Sequence, residues 1–172
     1  MPLTTASNEK ADDMKVKSNH NDPVFAVVRK ILFAALLLGM IGSGVELILL
    51  KHTEEIRQWI PLVLLGAAVP AIVWHYWRGD RVSTRFLRWL MAAFIASGAV
   101  GIYFHFQGAA EFKLEGNPSL RGWALFWEAI RAKAPPLLAP GAMIQLGLIG
   151  LAYLYKFPRR AQQQGESYAA KK

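Results

Sequence analysis

Four apolar stretches of about 20 residues each divide this 172-residue chain, and each is long enough to cross the hydrocarbon core of a bilayer. They fall at residues 24–50, 59–77, 86–106 and 135–155. In lipid a segment must satisfy its own backbone hydrogen bonds, so each stretch is predicted to be a helix. A membrane barrel needs shorter segments of alternating polarity, and these stretches do not alternate. The expected fold is an all-α integral membrane protein, with four transmembrane helices in an up-down bundle whose first two loops are short.

Composition enters as a set of exclusions. Hydrophobic residues make up 53% of the chain and charged residues 19%, with no cysteine. Gathered into blocks, that apolar content excludes a soluble globular enzyme. The absent cysteine excludes a disulfide scaffold and a thiolate-ligated metal or iron–sulfur centre. The expected membrane domain covers residues 23–157. Residues 1–22 and 158–172 are polar and are expected to be disordered, because they bury too little apolar surface to offset the entropy of ordering. The head lacks the basic start and immediate apolar core of a cleaved leader, so the first stretch is expected to remain as a signal anchor.

Lys and Arg set the expected direction. Fourteen of the 20 basic residues lie in the head through Lys30, in the loop from Arg78 to Arg88, and in the tail from Lys156 onward. These segments share one side of a four-span protein, so the positive-inside rule puts both termini in the cytoplasm, with the protein integral to the cytoplasmic (inner or plasma) membrane. The aromatic residues agree: Trp74, Trp77, Trp89 and Tyr155 fall at the expected cytoplasmic rim, and Trp59, Tyr103 and Trp123 at the outer one. The pI near 9.9 thus reflects collars at helix ends that meet anionic lipid, and no nucleic-acid partner is expected.

Small residues mark expected helix–helix faces. The first span offers Gly39, Gly42 and Ser43 beside Glu46, and the third offers Ala93, Ser97 and Gly101 ahead of His105. The second offers Gly66, Ala67 and Ala71 around Pro70, where a kink is expected. The fourth offers Gly141 and Ala152 around Gln145, near mid-membrane. Glu46 and Gln145 are the intramembrane polar groups. An ionisable side chain inside a span is costly, so Glu46 is read as a bundle-internal hydrogen bond, as a proton, ion or quinone site, or as a partner contact.

His52 and His105 end their spans on the same side and form a candidate pair of haem b ligands, since neutral imidazole is a common axial ligand. His75 stands apart at the other rim. No H-E-x-x-H, Walker loop or G-x-S-x-G elbow is present, and no acidic pair suited to Mg²⁺ sits at a span end. No metal site and no enzymatic activity are expected.

The third loop is long for a bundle connection. Residues 111–115 alternate in polarity and read as a short extended piece. Gly116, Asn117 and Pro118 then read as a turn into an interfacial amphipathic helix over 118–133, with Asn117 as its N-cap. Trp123 and Trp127 fall on its expected buried face, and Glu128 is spaced to pair with Arg131. Trp123, Trp127 and Arg131 are also the residue types favoured in a docking surface.

The functional expectation is a non-enzymatic multi-pass membrane protein, an accessory or scaffold subunit with a membrane-protein partner or a second copy of itself. The alternative is a haem b or quinone-linked redox protein, or a small proton, ion or solute transporter using Glu46.

Overall fold

A computed structural model describes residues 23–50, 56–131 and 138–155, and all the regular structure in them is helical. The predicted disorder of the head and tail falls outside these residues. Helix α1 is Pro23–Leu49, α2 is Trp59–Arg78, α3 is Arg81–Gly116, α4 is Gly122–Ile130 and α5 is Leu138–Tyr153, with a single 3-10 turn, Ile56–Gln58, leading into α2. The segments Val24–Leu49, Ile56–Arg78 and Arg81–Gly116 are long and apolar enough to cross a membrane. Helix α5 has 16 residues and reaches about 24 Å, short of the roughly 30 Å hydrocarbon core.

The exterior is apolar. Leu38, Ile41, Leu49 and Trp89 are among the large hydrophobic side chains more than three-fifths exposed, which suits a molecule surrounded by lipid.

The turn between α2 and α3 shows how the sequence ends one helix and starts the next. Gly79 adopts a left-handed conformation (φ 57°) and its N–H donates to the carbonyl of His75, closing α2. Asp80 is extended and its carboxylate accepts from the Ser83 N–H at 2.8 Å, capping α3. The Thr84 hydroxyl donates to the Asp80 carbonyl at 2.7 Å. The Ser83 N–H foremost, and after it the Ser83 side chain, hold the Asp80 carboxyl below its ordinary value.

Helix α3 organises the rest. Its most extensive contact is with α5; α2 packs on α3, α1 packs on α5, and α1 and α2 touch only sparsely. Glycine makes the α3–α5 approach close. A Cβ at Gly98 would meet the Pro140 carbonyl oxygen, and one at Gly147 the Met91 carbonyl oxygen, both at 2.6 Å. Below this contact Leu87, Met91 and Phe94 of α3 form a core with Leu36 and Met40 of α1, Ala68 and Ile72 of α2, and Leu146 of α5. Buried positions on α3 run Ser83, Leu87, Met91, Phe94, Gly98 in three- and four-residue steps, then stop until Ala110. The bundle is closed at its Arg78–Arg85 end and open beyond Gly98.

Several expectations change. The third apolar stretch belongs to a 36-residue helix, and the segment predicted as extended, 111–115, is part of it. Asn117 terminates α3 rather than starting the next helix; its side chain accepts from Ser119, and α4 begins at Gly122. Helix α4 buries Ala129 and half-buries Leu125 and Ile130, while Trp123 and Trp127, on the face expected to be buried in the interface, are not covered by the rest of the protein. Glu128 pairs with Lys113 of α3 at 3.1 Å, an inter-helix contact in place of the local pair expected with Arg131. His75 lies one turn from the end of α2 but does not stand apart there: it is 1% exposed, with Nδ1 3.4 Å from the Ser83 hydroxyl and its ring edge-on to Tyr153.

Candidate functional site

Where the core stops, a groove begins. Its floor is the face of α3 carrying Ala93, Ala96, Ser97 and Val100, residues too short to fill the space above them. Leu47 of α1 and Leu50 just past its end form one wall, Ile60 and Leu64 of α2 the other, and Pro140 and Met143 of α5 close the back. The cavity measures about 1290 Å³, larger than a usual small-molecule pocket of roughly 300–1,000 Å³. The two helices that wall it, α1 and α2, touch each other only sparsely.

The groove is graded along its length. From Ala93 to Lys113 the α3 axis advances about 30 Å. The stretch nearer Ala93 is walled by aliphatic side chains and methionine, with Ser43 and Ser97 as its polar members. Toward the far end come Glu46 of α1, Arg57 and Gln58 of the 3-10 turn, and His105, Glu111 and Lys113 of α3. The Arg57 guanidinium lies 4.7 Å from the centre of the Phe104 ring, a cation–π contact that fixes its position beside the groove. Lys113 is held by Glu128.

The predicted site residues divide. Glu46 and His105, which the sequence placed on separate spans, line this one groove. His52 lies outside the described residues, and with it the expected pairing of His52 with His105. Gln145 is not inside the bundle but exposed on α5. The stripe Ala93–Ser97 was expected to meet another helix and instead floors a cavity; Gly101, one turn on, does pack against Pro140. Among the first span's small residues, Gly39 faces Leu146, Gly42 faces open space, and Ser43 joins the groove.

Sequence reasoning missed Arg57, Phe104 and Glu111 as site residues. Arg57 had no apolar periodicity to place it, and Glu111 was assigned to an extended segment. The signal available was the four-residue spacing Ala93, Ser97, Gly101, His105, which runs along the floor as far as the polar end.

At the far end, α3 continues beyond the start of α5 and carries α4 against it. Phe106 meets Phe126 at 5.5 Å between ring centres, and Lys113 meets Glu128. On the exposed side Trp123 and Trp127 stack at 6.0 Å, and the Arg131 guanidinium lies 5.2 Å over Trp127. The three predicted docking residues thus form one continuous surface. Among the described residues, no group of three or more His, Asp or Glu comes together in a way that could hold a metal ion.

The chain matches no known protein family, no curated protein and no solved structure.

Proposed function

We propose that this chain is a non-enzymatic, four-span membrane protein whose groove holds a lipid-like amphiphile. The observation that carries this reading is the grading of the groove, with aliphatic walls at one end, ionisable side chains at the other, and flanking helices α1 and α2 that touch only sparsely. A molecule with a chain and a polar head matches both halves, and entry between those two helices would bring it directly from the bilayer. Apolar walls with a few convergent polar groups are the usual form of a small-molecule site.

The membrane setting proposed with it keeps four spans, with α5 as the described part of the fourth apolar stretch. Both termini lie on the cytoplasmic side by the distribution of Lys and Arg, so the groove's polar end faces outward in the cytoplasmic membrane. Helix α4 rests at the outer interface, where exposed Trp123 and Trp127 suit the headgroup region. Without a nucleophile or base motif, binding rather than turnover is the role of Glu46 and His105.

The test is bound lipid. Full-length protein purified in mild detergent and passed through size exclusion should retain about one lipid per chain by mass spectrometry, the number one groove admits. Ala96→Phe, which adds a ring to the floor of the groove, should lose it while eluting unchanged. Equal lipid retention in both proteins would refute the reading.

A second reading, an accessory subunit of a larger membrane complex, is favoured by Gln145. Its amide lies exposed near the middle of α5, where a lipid-facing polar group is costly and a partner helix would satisfy it. Recovery of a stoichiometric partner that is lost in Gln145→Leu would support this role; an unchanged partner would remove its basis.

A further inference from the structure

Resting on the groove reading above, we infer that the occupant is a phospholipid with a zwitterionic, primary-amine headgroup. The inference comes from the charges at the polar end taken together. Arg57, Lys113, Glu46 and Glu111 all line the cavity there. Lys113 is already engaged by Glu128 at 3.1 Å, and those two charges cancel. Among the described residues, what remains facing the cavity besides His105 is one guanidinium and two carboxylates.

That set discriminates among headgroups. A site for a fatty acid or an anionic phospholipid needs cations alone, and an excess of carboxylate repels such a ligand. One phosphate and one ammonium match the guanidinium and the carboxylates of this described set. The planar guanidinium of Arg57, held in place over Phe104, presents paired N–H donors to phosphate oxygens. The ammonium offers three N–H donors to Glu46 and Glu111, which stand on different helices, α1 and α3. A quaternary choline group has no N–H to offer a carboxylate and is recognised by aromatic cages instead. The match is to phosphatidylethanolamine chemistry rather than to phosphatidylcholine or phosphatidylglycerol.

The experiment uses full-length protein in non-ionic detergent, titrated separately with phosphatidylethanolamine, phosphatidylglycerol and phosphatidylcholine, with bound lipid counted by native mass spectrometry. Phosphatidylethanolamine should bind at least about tenfold more tightly than either of the others, the scale expected from charge-assisted hydrogen bonds made to one headgroup only. The double variant Glu46→Gln, Glu111→Gln should erase that preference. Arg57→Gln should weaken phosphatidylethanolamine and phosphatidylglycerol by the same factor. Phosphatidylglycerol or phosphatidylcholine binding as tightly as phosphatidylethanolamine, or a double variant with the preference intact, would overturn the inference. Ala96→Phe separates the two levels. If it abolishes binding of all three lipids while no headgroup is preferred, the groove stands and the headgroup assignment fails. If it changes nothing, the groove reading itself fails.

Discussion

Asp80 shows how much one side chain at a helix end decides. It stands between α2 and α3, outside the apolar stretches, with its carboxylate on the Ser83 N–H and its carbonyl receiving the Thr84 hydroxyl. Its carboxyl sits below the ordinary value chiefly because the Ser83 N–H stabilises the charged form. The folded protein therefore binds this proton more weakly than the unfolded chain does, and the contribution to stability is complete above the ordinary carboxylate range. It declines as the pH falls below about 4, toward the lower folded value. Asp80→Asn keeps a competent cap, so thermal unfolding in detergent near neutrality should change little, while the decline on acidification becomes shallower. Asp80→Ala should lower stability at neutral pH as well. At this scale His75 was the residue least legible from sequence. A histidine one turn from a helix end, among Trp74, Tyr76 and Trp77, has the signature of a rim residue. Only the packing of Tyr153 and Ser83 around it makes it interior.

Among the elements, the α3–α5 pair is where sequence and structure agree in kind and differ in address. Small residues do bring the two helices together, but the close approaches are at Gly98 and Gly147, one position beside the Ala93–Ser97 stripe and two beyond Gln145. Periodicity identifies residues that share a face; it does not reveal whether a neighbouring helix or a void lies opposite. Gly98→Ala and Gly147→Ala push a methyl against a backbone carbonyl that cannot swing aside. Each should cost about 1–3 kcal/mol in a reversible unfolding assay. Gly42→Ala and Gly66→Ala meet open space and, being helical, should be neutral or stabilising by up to about 1 kcal/mol. Similar losses at all four positions would contradict the packing described. The continuation of α3 through 111–115 was hidden for a different reason. Alternation over five residues fits a strand, but Ala110 buried beneath α4 and the Lys113–Glu128 bridge stabilise the helical form through contacts distant in sequence.

For the whole molecule, the class was readable from four apolar blocks because the bilayer length and the demand for internal hydrogen bonding are severe constraints. Where those blocks leave space between them was not, since the sparse contact of α1 with α2 follows from each preferring α5 and α3. The proposed direction in the membrane is directly testable because the chain has no cysteine of its own. A single cysteine replacing Asn117, at the end of α3, should react with an impermeant maleimide on intact cells. One replacing Gln163 should react only after permeabilisation. The reverse pattern would invert the assignment and turn the groove's polar end toward the cytoplasm.

The unbroken run of α3 has a mechanical consequence. The same helix floors the groove at Ala96 and, about 30 Å further along, ends at Gly116 beside the helix packed on it. With no proline between those points, a rigid-body tilt would be transmitted along it as along a lever. A tilt of about 5° at the groove displaces the tip by about 3 Å over that length of helix. The stacked indoles of Trp123 and Trp127 ride on that tip, so any rigid-body tilt of α3 at the groove would carry this surface with it.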